Sequence, residues 1–324
     1  MTAPLLLAGM AFLLVVPWGG WVGRELLKRG IGKRIRFDGP ASHQVKSGTA
    51  TMGGLYILAG LGVFTVGLTF AGYAEAWLPF GAMLGFGLLG AFDDLRGLKD
   101  VQGVGWLARA KFWWQWGLAI ALALLTFYAS KAHVLVLPLS NYVLDIGWWY
   151  MPITALLIVI FSNAVNLTDG LDGLAGGTSA IAYAAYGILA GAWSLPGLAL
   201  FCFALVGVLL AFLWFNVHPA RMFMGDTGSQ ALGAGLAVVA MLSGHWLLLP
   251  LIGLVFVAEA FSVMLQVSYF KLTRRKYGEG RRILRMAPLH HHYELGGWSE
   301  VQITSRFWIV SVIAAAIGAA LGIG

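Results

Sequence analysis

Apolar residues run along this chain in long blocks, each near the roughly 20 residues that cross a bilayer as a helix. Polar residues are confined to the intervals between them. Ten blocks can be drawn, at 3–23, 53–72, 77–92, 112–130, 147–163, 174–193, 197–215, 229–244, 246–270 and 303–323. The third and eighth are short. The ninth would extend about 37 Å as a helix, so it is expected to tilt, bend or project into water. The pattern predicts an all-α polytopic membrane protein of about ten transmembrane helices, a single domain over residues 1–324. One interval, 131–150, holds Val134, Leu135, Val136 and Pro138 and is expected to form a small extracytoplasmic hairpin.

Composition agrees with the pattern. Of 324 residues, 59% are hydrophobic and 11% charged, too few charges to cover the surface of a soluble domain. The first block has no basic leader; its positive charges follow from Arg24 onward, so it reads as a retained span. The lone cysteine, Cys202, lies inside a block and can form no intrachain disulfide.

Charge then fixes the expected orientation. With the amino terminus outside, the five inward intervals, counted with the start of the last span, hold all but one of the 21 Lys and Arg, the exception being Lys131. The positive-inside rule therefore predicts both termini outside and five cytoplasmic loops. The net charge of +7 does not read as a nucleic-acid surface, because the basic residues flank spans, where they meet anionic lipid heads.

Candidate chemistry falls in those same inward intervals. Asn163, Asn166, Asp169 and Asp172 recur every three residues in NAVNLTDGLDGLAGG, a spacing that would keep them loosely on one helical face. Asp93 and Asp94 stand at the end of the third block. As helical neighbours they point about 100° apart and should have separate roles, one as general base or metal-linked acid. Asp226 lies among small residues in MFMGDTGS, where a carboxylate can hold Mg²⁺ while free helix N–H groups meet phosphate, with Phe223 ready to stack on a base. SHQVKSGTATMGG offers Lys46 with small donors, Thr51 among them, for a phosphate or a nucleotide edge. His290, His291 and His292 are consecutive, so on a helix they fan out; they suit hydrogen bonds to phosphate better than a zinc site. No EF-hand, Walker loop, GxSxG or HExxH pattern occurs.

Taken in order, DDLRGL, NAVNLTDGLDGLAGG, FNVHPARMFMGDTGS and APLHHHYELGGWSE, with SHQVKSGTATMGG ahead of them, closely resemble the phospho-N-acetylmuramoyl-pentapeptide transferase family. The likeness spans essentially the whole chain, and the unbroken histidine triplet resembles that branch of the polyprenyl-phosphate sugar-1-phosphate transferases. Two departures are the pair Gly296 and Gly297 of YELGGWSE, where a basic residue is usual, and Ala50 in GTATMGG, where proline is usual. The resemblance implies a homodimeric enzyme of the bacterial cytoplasmic membrane with a cytoplasm-facing cleft. It would transfer phospho-MurNAc-pentapeptide from UDP-MurNAc-pentapeptide to undecaprenyl phosphate, with Mg²⁺. By the same resemblance Asp226 is the metal ligand, with Asp169 the alternative, and Asp93 activates the lipid phosphate. Asp94, Asn166, Asp169 and His291 line the reacting phosphates. Lys46, Asp172, Phe223 and Gly225 form the uridine pocket, and Thr51, Lys111, Asn216, Gln266 and His290 are further cleft residues. Two other readings stay open at this level: a sibling transferase using UDP-N-acetylglucosamine, and a phosphate or nucleotide transporter. A transporter places ionisable groups near the midplane; only Glu259 is clearly mid-span.

Overall fold

In lipid a backbone must satisfy its own polar groups, and each apolar block does so as helix. The computed structural model describes residues 1–32, 48–99, 108–130, 133–140 and 142–324. Its helices are α1 (Thr2–Lys28), α2 (Gly54–Phe70), α3 (Trp77–Lys99), α4 (Ala108–Ala129), α5 (Tyr150–Thr168), α6 (Leu174–Ala192), α7 (Pro196–Asn216), α8 (Gly225–Leu242), the short α9 (Leu249–Ile252), α10 (Leu254–Tyr277), the short α11 (Leu289–Glu294) and α12 (Glu300–Ile323). Among the described residues, eight helices are long and apolar enough to cross a membrane: α1, α3, α4, α5, α6, α7, α10 and α12. The chain is an all-α polytopic membrane protein. The expected hairpin is present as two antiparallel strands, β1 (Val134–Val136) and β2 (Val143–Asp145), with Leu135 opposite Leu144.

The two remaining long helices depart from the simple pattern for different reasons. Helix α2 is apolar but shorter than the others. Helix α8 is weak in hydropathy because it does not face lipid: every residue from Thr227 to Met241 is buried. It packs against α2, α3 and α5, with small residues at the crossings. A Cβ on Gly54 of α2 would come within 2.1 Å of the Gly228 backbone nitrogen in α8, so only glycine allows that approach. Helix α8 is therefore the internal post around which the others stand.

Element ends also shift from expectation. Helix α3 runs past its apolar block to Lys99, making Asp93 and Asp94 helical. The long ninth block breaks at Gly253, between α9 and α10, and α10 then projects on to Tyr277. Residues 163–172 do not stay on one helical face, because α5 ends at Thr168 and Asp169 is its C-cap. Asn163 and Asn166 remain on the helix, while Asp169 and Asp172 belong to the glycine-containing turn that follows.

Candidate active site

Four helices far apart in sequence bring their polar ends to one point. The Lys111 ammonium, from the start of α4, donates to Asp93 Oδ2 on α3 at 2.7 Å and to Asp226 Oδ2 on α8 at 2.5 Å. From α5, Asn166 donates its amide to Asp226 Oδ1 at 2.7 Å and to Ser229 Oγ at 2.9 Å. Asp226 lies ahead of the predicted span. Burial opposes its ionisation, but the adjacent Lys111 charge and the hydrogen bonds outweigh it and hold the carboxyl below the usual carboxylate range. It is an anion at neutral pH.

Beneath this cluster runs a ladder of amides in which Asn163 is joined by two buried glutamines, Gln115 and Gln230, that no motif pointed to. Gln230 donates to Asp226 Oδ2 at 3.0 Å, Gln115 donates to Gln230 Oε1 at 3.0 Å, and Asn163 donates to Gln115 Oε1 at 3.0 Å. Each amide both gives and accepts, so the ladder is satisfied without water and fixes the Asp226 rotamer. A signal was available: Gln115 follows Lys111 by four residues, and Gln230 follows Asp226 by four, which places each pair on one helical face.

Asp94 is engaged differently from Asp93, as their divergence on α3 requires. It accepts the backbone N–H groups of Asp226 and Thr227, both at 3.0 Å, and the Thr227 hydroxyl at 2.6 Å. The N–H groups expected to meet phosphate at the start of α8 are thus capped by a carboxylate from another helix. Gly225 holds φ +72, and a Cβ there would meet Asp94 Oδ2 at 2.6 Å, so the residue must be glycine.

A second cluster lies around Asp172. Its Oδ2 accepts from the Ala220 N–H at 3.1 Å and meets His218 Nδ1 at 3.0 Å. Glu300, in the first turn of α12, accepts the Asp172 N–H at 2.6 Å and approaches the same His218 nitrogen at 3.3 Å. Asp172, His218 and Glu300 form the one group among the described residues whose acidic and imidazole donors lie close enough to share a metal ion. The hydrogen bonds already explain their proximity. His218 and Glu300 were not predicted; both are isolated polar residues in segments where other groups drew attention.

Several predicted cleft residues are braces. Asn216 accepts the Gly173 N–H at 3.1 Å and donates to the Met222 carbonyl at 2.8 Å. Gln266 accepts the N–H groups of Ile283 and Leu284 and donates to the Leu284 carbonyl. The Phe223 ring is buried, and its backbone pairs with Ala50 and Gly53, tying Thr51, also buried, to the start of α8. Asp169 is half-buried beside α11 residue His290, which packs on Gly170. His291 Nδ1 lies 3.0 Å from Glu294 Oε2. Lys46 lies outside the described residues.

A polar cleft of about 750 Å³ opens over Asp172 and His218, lined also by Thr49, Trp298 and Glu300. Oxygen donors dominate the neighbouring Asp93–Asp226 cluster, and the Lys111 ammonium between the two carboxylates marks a place built for positive charge. That donor chemistry fits a hard divalent cation such as Mg²⁺.

Residues 76–244 match the model of the family described as Glycosyl transferase family 4. Over 332 aligned residues the chain is 47% identical to the phospho-N-acetylmuramoyl-pentapeptide-transferase of Chloroflexus aurantiacus, an alignment covering 100% of this chain and 90% of that one. The enzyme of the same description from Bacillus mycoides is 42% identical over 98% of both chains. That from Listeria welshimeri is 43% identical over 90% of both.

Proposed function

We propose a reaction on the premise, given by these full-length relatives, that the chain belongs to the phospho-N-acetylmuramoyl-pentapeptide-transferase family. It is a membrane-embedded phospho-N-acetylmuramoyl-pentapeptide transferase of peptidoglycan synthesis. The donor is UDP-MurNAc-pentapeptide and the acceptor undecaprenyl phosphate; the products are lipid I and UMP. The observation that carries this reading is the meeting of Asp93, Lys111, Asn166 and Asp226 at one point, from four separate helices.

The chemistry follows from charge. An oxygen of the acceptor phosphate attacks the sugar-linked phosphorus, a new P–O bond forms, and the P–O bond to UMP breaks. Both partners are anions, so the site must hold cations and oriented donors where they meet. Lys111 supplies one such charge. Asp93 removes the acceptor's remaining proton, and a phosphate monoester so ionised is a competent nucleophile without a covalent enzyme intermediate. Asp226 would hold Mg²⁺, with Asp169 on the adjoining turn as the alternative ligand; when bound, the ion neutralises the diphosphate and the departing UMP. Asn166 orients Asp226, and Asp94 fixes the helix start that carries it. His291 donates to a phosphate oxygen with the buried His290 packed behind it, while Lys46, Asp172, Phe223 and Gly225 form the uridine side.

Ten spans with both termini outside would put all of these residues at the cytoplasmic boundary, where the soluble donor and the lipid acceptor meet. The charge distribution supports that orientation. A homodimer follows the family likeness. The decisive experiment is release of UMP by the purified protein. Release is expected from UDP-MurNAc-pentapeptide, and only with both undecaprenyl phosphate and Mg²⁺. Equal turnover of UDP-N-acetylglucosamine would replace this reading with the sibling transferase, and nucleotide movement across vesicles without UMP release would favour transport.

A further inference from the structure

Glu259 sits fully buried in α10, and the reaction as derived makes no use of it. A carboxylate withdrawn from water costs several kcal/mol unless its oxygens are satisfied. Here they are satisfied by another helix. Oε2 accepts the Leu289 N–H at 2.7 Å, and the His290 N–H reaches Oε1 at 3.2 Å and Oε2 at 3.4 Å. These are the first two N–H groups of α11, which its own turn leaves without partners. A membrane helix thus caps the short helix that carries the histidines.

The same carboxylate governs the His290 ring. His290 Nδ1 lies 3.2 Å from Glu259 Oε1, and the ring is only 1% exposed. On its far side Nε2 faces Gly170, where a Cβ would come within 2.1 Å. Neither ring nitrogen makes a well-aligned hydrogen bond among the described residues. The ring is therefore located by the carboxylate on one side and the Asp169–Gly170 turn on the other. His291 follows, its ring centroid 4.2 Å from that of His290. Seven residues further along α10, Gln266 holds the Ile283–Leu284 backbone in the same way. Two polar side chains two turns apart thus fasten the histidine loop to one helix.

We propose that Glu259 is a positioning residue of the transferase, holding α11 so that His290 and His291 stand against the Asp169–Gly170 turn at the reacting phosphates. This rests on the transferase reading above. Glutamate suits the task because it only accepts hydrogen bonds, and every group facing its carboxylate is an N–H or an imidazole. Glutamine of the same length has one acceptor oxygen and would turn an N–H₂ toward donors.

The test is a double-mutant cycle on the full-length protein, with kcat and KM measured by UMP release. Glu259→Gln should lower kcat about tenfold or more with KM for the UDP-sugar changed by less than about threefold. Combined with His290→Gln, it should cost less than about twofold further, because the two act as one unit. Losses that multiply, a change in KM alone, or unchanged kcat would overturn the proposal. If Glu259→Gln fails to fold, Glu259→Asp, which still only accepts, carries the same cycle. A readout independent of turnover is carbethoxylation of His291 by diethyl pyrocarbonate, read by peptide mass spectrometry. It should rise several-fold in the variant, and equal reactivity would remove the positioning role. Wild-type protein that releases no UMP would sink the transferase reading instead, leaving the histidine reactivity to judge Glu259.

Discussion

Replacing Lys111 by methionine separates two effects of one ammonium group. The Lys111 nitrogen lies within 2.7 Å of Asp93 and 2.5 Å of Asp226, so the two bonded oxygens are no more than about 5 Å apart. Without the ammonium they face each other as anions. The side chains are mostly buried, Lys111 being 16% exposed, so an effective dielectric of about 20 applies. Two unit charges about 5 Å apart then repel by about 3 kcal/mol. That repulsion raises the affinity of the pair for any cation that can replace lysine. Lys111→Met should therefore bind a divalent ion more tightly, by up to about a hundredfold if 3 kcal/mol is fully expressed, while turning over far more slowly. The assay is titration of substrate-free protein with Mn²⁺, a hard-oxygen probe whose free ion is read by electron paramagnetic resonance. Mg²⁺ competition and UMP release follow on the same samples. If a folded Lys111→Met protein binds Mn²⁺ no better than wild type, the Asp226 carboxylate beside Asp93 does not hold the metal, and its assignment as ligand falls.

Asp226→Asn should abolish most turnover while thermal unfolding in detergent stays within a few degrees of wild type; normal UMP release at ordinary Mg²⁺ would move the ligand role to Asp169. Asp93→Asn should regain part of its rate between neutral and alkaline pH, since the acceptor phosphate then ionises unaided, whereas a stoichiometric burst of UMP from lipid-free wild-type enzyme would establish a covalent intermediate. Gly54→Ala inserts a methyl into the α2–α8 crossing and should destabilise the protein by about 1–3 kcal/mol, visible as a lower unfolding temperature; unchanged stability would contradict the close approach. With Cys202 replaced, cysteine at the exposed Glu279 should resist impermeant thiol reagents in intact cells and cysteine at the exposed Ser140 should label; the reverse pattern would invert the orientation.

The helices were legible wherever a helix faces lipid, because hydropathy reports that contact directly. Helix α8 was drawn short for the opposite reason: shielded by its neighbours, it carries glycine and alanine where lipid would demand leucine. In the site, the carboxylates and Lys111 stood out or matched a motif, and Asp93, Lys111, Asn166 and Asp226 do meet. What the chain could not reveal were partners brought together only by folding. Asp94 looked like a phosphate-facing acid, and its bonds to the first N–H groups of α8 join two helices that the chain gives no sign of pairing. Gln266 and Asn216 matched cleft positions and spend their amides on loop backbone. His218 and Glu300 belong to no local pattern, since their spacing to Asp172 exists only in three dimensions.

The Glu300 contact with the Asp172 backbone joins residues 128 apart in sequence. Its consequence lies in synthesis. The loop with Asp172 emerges from the ribosome long before α12, yet the carboxylate that holds its backbone is delivered by the last span. A nascent or truncated chain ending before residue 300 lacks the carboxylate that accepts the Asp172 N–H. The turn that carries Asp172 is therefore completed only when the last helix arrives, however early its own residues are made.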